Sequence, residues 1–227
     1  MLDATNAIDH FVDLRRMMVD CQVRPFDVTD QAVLNAMLEV PREKFVGAEN
    51  AAIAYSDAPL TLLAGEKRQL LAPMVLARLI QAADITPGCR VLDVAGAAGY
   101  SAAILAKLAG RVVALESDPA FTTRATALFA ELGIVNAHAI TGALDSGGAG
   151  QGPFDVILVN GVIERGLEGL LASLAPGGRL VAIQRSAGQS GKAVRYDAVA
   201  GNIGSRTLFE ATGSILAPFA SRPTFAF

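Results

Sequence analysis

The chain has 227 residues, 52% of them hydrophobic, with a formal net charge of -3; its mean hydropathy is +0.41 and its pI near 5.4. That is enough apolar material for one well-packed domain of ordinary size with a terminal extension. The mildly acidic balance, without a Lys/Arg run that could track a phosphate backbone, argues against nucleic acid as the main partner, and no apolar run reaches membrane-spanning length. Cys21 and Cys89 lie far apart and beside no His or second Cys, so neither a metal site nor a disulfide framework is expected. Free thiols and an acidic N-terminus with no continuous apolar core predict a cytoplasmic protein.

The first predicted element is an amphipathic helix over 9–20, where Phe11, Leu14 and Met18 recur at helical spacing. A second begins at a cap from Thr29 or Asp30, presents Val33, Leu34, Met37 and Leu38 on one face, and stops at Pro41. Residues 51–71 are mixed in character. Pro73 then opens a third helix, running to Ala83, since proline suits a first helical turn.

From Thr86 the pattern changes to strands alternating with helices. RVLDVA is followed by a helix from Tyr100 to Ala109, RVVALES by a helix from Pro119 to Leu132, and AHAIT leads through a glycine-rich loop at 145–152 to PFDVILVN. A helix over Leu167 to Leu174 and the strand GGRLVAIQ complete the series. Strands apolar throughout, separated by helices, predict an α/β fold: a Rossmann-like, mostly parallel sheet with helices on both faces. Two strand-like segments within 195–218 predict an antiparallel C-terminal edge. The division expected is an N-terminal helical subdomain, 1–84, covering a cofactor domain, 85–227.

A strand that delivers its end into small residues and then a helix, as VLDVAGAAGYSAAILAKL does from Val91, brings backbone N–H groups against a cofactor. Asp93 lies inside that strand, where it would repel a pyrophosphate. S-adenosyl-L-methionine carries no phosphate, and its amino group and sulfonium are cationic. Glu116 ends the next strand, in position to accept hydrogen bonds from two ribose hydroxyls. Gly142 and Ala143 follow the third strand and Asn160 and Gly161 the fourth, at the carboxyl edge where open α/β sheets bind ligands. An NAD-binding oxidoreductase would require a dinucleotide loop without Asp93. Structural readings of Asp93, as a turn cap, and of Glu116, as a solvated residue, remain open at this stage.

Over nearly its full length the chain resembles the protein-L-isoaspartate O-methyltransferase family, as a divergent member. QAVLNAMLEVPREKFV at 31–46, AYSDAPL at 54–60, PMVLARL at 73–79, the loop at 91–108, PFDVILVN at 153–160 and LAPGGRLV at 174–181 carry the resemblance. It implies methyl transfer from S-adenosyl-L-methionine to the side-chain carboxylate of an isoaspartyl residue, so the expected partner is a protein or peptide with a carboxylate acceptor. Around the loop it implies cofactor contacts from Asp93, Ala95, Gly96, Gly99, Tyr100, Glu116, Gly142, Ala143 and Asn160.

Three segments depart from the family pattern. Before the third helix the family reads G-Q-T-I-S-Q-P, with hydroxyls at the reacting carboxylate, whereas Gly65 to Pro73 here puts Gln69 for the threonine and Leu71 for the serine. An isobutyl group donates no hydrogen bond. Arg68 offers a bidentate alternative for a carboxylate, with a solvated loop charge as the other reading. Ala95 and Ala97 stand where the loop usually has glycine, and Ala143 where it has an acid. Asp57 is the remaining candidate near the substrate, read equally well as a turn residue. A non-catalytic binding protein that keeps the fold, and a methyltransferase with another acceptor, are the alternatives these departures leave.

Overall fold

The computed structural model describes residues 4–62, 68–148, 150–186 and 188–221. Helix α1 (Ala4–Met18) continues through a π-helical turn at Val19–Val23. Helix α2 (Gln31–Glu39) starts where the Asp30 carboxylate accepts the amides of Ala32 and Val33 at 2.8 and 3.3 Å, and the chain turns extended at Val40, ahead of Pro41. The mixed stretch holds a small antiparallel ribbon that its composition did not signal, β1 (Leu60–Thr61) with β2 (Gln69–Leu70). Helix α3 (Pro73–Ala82) opens on its proline.

The main sheet follows: β3 (Arg90–Val94), α4 (Tyr100–Ala106), β4 (Arg111–Glu116), α5 (Pro119–Glu131), β5 (Ala137–Thr141) and β6 (Phe154–Ile163). After β6 come α6 (Glu168–Leu171), β7 (Leu174–Gln184), β8 (Lys192–Val199) and β9 (Asn202–Glu210). Seven strands lie in the order β5-β4-β3-β6-β7-β8-β9. The first five are parallel; β8 and β9 add as an antiparallel meander, as the C-terminal pattern predicted. The helix expected over Leu167 to Leu174 is a single turn, because residues from Leu174 onward are drawn into β7.

Alternation along the strands divides the core. Val91, Val112, Val156, Leu158 and Val181 face one layer with residues of α2, α3, α4 and α5. Leu92, Val113, Ile157 and Leu180 face the other, covered by Leu144, Leu170, Leu216 and Phe219. That second face relies on a short helix and on the chain after β9. Its segment lies along the end of β6: the Val162 amide donates to the Ser214 carbonyl at 2.8 Å and the Leu216 amide to the Val162 carbonyl at 3.1 Å. Gly161 leaves room for this approach, since a Cβ there would sit 2.6 Å from Leu216 Cγ. The end of the tail, residues 222–227, lies outside the described residues.

No helix among the described residues is long and apolar enough to cross a membrane. If Phe219, which is fully buried, closes the second face, Phe219→Ala should cost about 3–5 kcal/mol in urea unfolding. Val135→Ala, at a site 85% exposed, should change stability by less than about 0.5 kcal/mol.

Candidate active site

Strand β3 is paired on both sides, so Asp93 enters the structure in the middle of the sheet, opposite Ala114 on β4 and Leu158 on β6. Its side chain is completely buried on the α4 face. Oδ2 accepts the Ser101 hydroxyl at 2.6 Å and Oδ1 accepts the Asn160 amide at 2.7 Å. Burial pushes its pKa up to about 6, against the lowering effect of these two hydrogen bonds. One carboxylate thereby joins β3, the start of α4 and the end of β6.

A register shift between Leu158 and Val162 re-aims the end of β6 and brings Asn160 to Asp93. Both Asn160 amide hydrogens are committed, to Asp93 Oδ1 and to the Val94 carbonyl at 3.0 Å. The network thus sets the amide orientation and leaves Oδ1 of Asn160 as an acceptor at the carboxyl edge.

The loop between β3 and α4 turns through left-handed backbone at Ala95 (φ 62), Ala97 (φ 52) and Gly99 (φ 92). Two alanines therefore hold a conformation natural to glycine, at a cost on the order of 1 kcal/mol each. Gly96 answers a different requirement: a Cβ there would lie 2.6 Å from Ser101 Oγ and closer still to the Asp93 carboxylate. The second acid, Glu116, is 2% exposed at the end of β4. Its Oε1 accepts the Ala97 amide at 2.6 Å, and Oε2 accepts the Ser117 amide at 3.0 Å and Arg68 Nη2 at 2.8 Å. Burial raises the Glu116 pKa, and the Arg68 charge opposes that rise.

Beside this pair lies a cavity of about 500 Å³, lined by Arg68, Ser117, Leu144, the segment 215–218 and Ala220. The size suits a nucleoside cofactor. Arg68, one of the two readings left by the sequence, is buried in an ion pair and is not a solvated charge. Gly142 is half-buried and Ala143 exposed beyond β5, the Gly142 amide donating to the Glu116 carbonyl at 2.8 Å. Two expected residues stand apart. Tyr100 turns into the α2 layer, its ring 5.6 Å from Phe45 and 4.9 Å from the Arg42 guanidinium. Asp57 is exposed and has no ion pair or hydrogen bond among the described residues. Gly65, Glu66 and Lys67 of the substrate segment lie outside the described residues.

Sequence reasoning passed over Ser101, Ser117, Leu144 and Leu216. Ser101 carried a signal, since its place in the first turn of α4 sets it over the strand-end acid. Leu216 carried none, because it reaches the site from a segment about a hundred residues beyond Glu116. Arg42 was also missed, although it stands in the VPREKFV motif. It is fully buried, donating to the Ala54 carbonyl at 2.7 Å and to the Leu71 carbonyl at 2.9 Å.

A parallel sheet with a small-residue loop after its central strand and an acid ending the adjacent strand defines a nucleoside-cofactor protein of the methyltransferase class. Residues 16–209 match the family model for protein-L-isoaspartate(D-aspartate) O-methyltransferase. A protein-L-isoaspartate O-methyltransferase of Koribacter versatilis is 40% identical over 167 residues, 74% of each chain. One from Gloeobacter violaceus is 38% identical over 164 residues, 72% of this chain and 79% of that one. A solved structure described as a protein-L-isoaspartate O-methyltransferase superposes with a TM-score of 0.77 at 22% identity, covering 90% of this chain and 65% of the other. One from Plasmodium falciparum, described as being in complex with S-adenosyl-L-homocysteine, gives a TM-score of 0.74 at 22% identity, covering 91% and 97%. The chain belongs to the protein-L-isoaspartate O-methyltransferase family, and identities near 40% do not set it apart as a distant member.

A pH test isolates Asp93. With its pKa raised to about 6, the stability it contributes is fully present below the unfolded carboxylate value near 3.9 and is lost as pH rises through 6. Asn in its place can still donate to Ser101 and accept from Asn160. The unfolding free energy of wild type should therefore fall relative to Asp93→Asn between about pH 4 and 6, by up to about 3 kcal/mol. Parallel pH profiles would show that the buried carboxyl does not titrate there.

Proposed function

We propose that this protein is an S-adenosylmethionine-dependent methyltransferase that esterifies the free carboxylate of isoaspartyl residues in damaged proteins or peptides. The observation that carries the reading is the Glu116 carboxylate at the end of β4, oriented by the Ala97 amide of the small-residue loop at 2.6 Å. An acid held there can accept both hydroxyls of a ribose. The residues fit the cofactor in other respects: an uncharged apolar wall of Leu144, Ile215 and Leu216 for a base, and, among the described residues lining the cavity, Arg68 as the one cation, already paired with Glu116. When bound, S-adenosylmethionine supplies an electrophilic methyl group on a sulfonium.

The chain's own residues then have limited tasks. Glu116 holds the ribose, and Asn160, locked by Asp93, offers its carbonyl oxygen to the cationic amino group. Asp93 adds negative charge beneath the loop. Ala95, Gly96, Gly99, Gly142 and Ala143 supply close backbone walls. Tyr100 anchors α4 to the N-terminal layer. No general base is needed, because a carboxylate acceptor is ionised at neutral pH. Alignment and exclusion of water do most of the work. Leu71 provides no hydrogen bond, so Arg68 is the group that recognises the acceptor carboxylate. Asp57 serves from the surface of the covering segment. Residues 1–84 act as that covering subdomain over 85–227, and the setting is cytoplasmic.

Leu71 favours a second reading, in which the cofactor is kept but another carboxylate is the acceptor. Incubation with methyl-labelled S-adenosylmethionine and a matched pair of peptides, isoaspartyl and aspartyl, separates the two. Base-labile label on the isoaspartyl peptide alone is expected. Label on neither, with another carboxylate labelled instead, would replace isoaspartate as the acceptor.

A further inference from the structure

If Glu116 holds the ribose as proposed, one of its present contacts has to give way. The buried Arg68–Glu116 pair occupies the acid at which the ribose would bind. A carboxylate oxygen offers two in-plane lone pairs. Those of Glu116 Oε2 are filled by Arg68 Nη2 at 2.8 Å and the Ser117 amide at 3.0 Å, and one on Oε1 by the Ala97 amide at 2.6 Å. One acceptor position is left, whereas a ribose diol brings two donors. Arg68 also lines the cavity, between it and the acid.

We propose that Arg68 is a displaceable latch: the cofactor's ribose takes Glu116 from it, and the released guanidinium becomes the anion site for the acceptor carboxylate. The backbone need not move. The Arg68 carbonyl accepts the Leu62 amide at 3.1 Å, next to the paired residues of β2, so the side chain alone swings. Among the described residues that line the cavity, none is a carboxylate that could receive the released cation. Its nearest other partner is the Ser117 hydroxyl at 3.2 Å. A guanidinium facing Leu144, Ile215 and Leu216 without an anion is poorly solvated, and an incoming carboxylate relieves this. Nucleoside and carboxylate binding are thereby coupled, and such coupling is reciprocal.

Isothermal titration with S-adenosylhomocysteine reads the latch. Arg68→Gln should bind about tenfold more tightly than wild type, because nothing has to be displaced. Circular dichroism and melting of both proteins establish that the variant is folded. Wild type supplies an independent measurement: an isoaspartyl peptide should bind about tenfold more tightly when S-adenosylhomocysteine is saturating, and Arg68→Gln should lose that gain. Unchanged or weaker nucleoside binding by folded Arg68→Gln overturns the latch and leaves the cofactor reading intact. So does wild-type peptide affinity that is indifferent to the nucleoside. Absence of nucleoside binding in both proteins overturns the cofactor reading and the latch with it.

Discussion

The carboxyl edge of this sheet depends on one buried carboxylate. Asp93 has no solvent contact and is held by Ser101 and Asn160 at 2.6 and 2.7 Å. Burying a charge is tolerated where hydrogen bonds replace water, and these two supply them from α4 and β6. The same contacts dictate the sequence around them. Gly96 must lack a side chain because the acid and Ser101 fill the space a Cβ would need. Asn160 must sit at an irregularity in β6 to turn its amide toward β3.

A second set of polar contacts joins the N-terminal layer to this edge. Arg42 spans from the Ala54 carbonyl to that of Leu71 and stacks on Tyr100, so a single side chain touches three separate motifs. Arg15 donates to the Tyr55 hydroxyl at 2.9 Å and pairs with Glu43 at 3.2 Å, tying α1 to the same turn. The VPREKFV and AYSDAPL segments therefore owe much of their character to holding the covering layer in place. On the cavity side, Arg68 neutralises Glu116.

Position at the carboxyl edge was legible in the sequence where a residue stands at a strand end. Asp93, Glu116 and Asn160 are such residues, because consecutive parallel strands deliver their carboxyl ends to one edge. The antiparallel meander was readable from its two strand-like segments. Contacts made by distant segments were not: Leu216 and Phe219 complete the second face from beyond β9, and no local pattern announces that. Tyr100 illustrates another limit, since its position beside the loop does not reveal that a helical first turn aims it at Phe45. Ala95 and Ala97 looked like losses of glycine, yet both retain positive φ. The loop's shape is imposed by its surroundings, the Ala97 amide being drawn to Glu116 and Gly96 packed against Asp93 and Ser101.

A nucleoside held at this edge, despite those alanines, is measurable as binding. Direct titration of the wild-type protein with S-adenosylhomocysteine tests it. One site per chain with micromolar affinity, about -8 kcal/mol, is expected. No detectable heat or competition up to about millimolar ligand, roughly -4 kcal/mol, would contradict it.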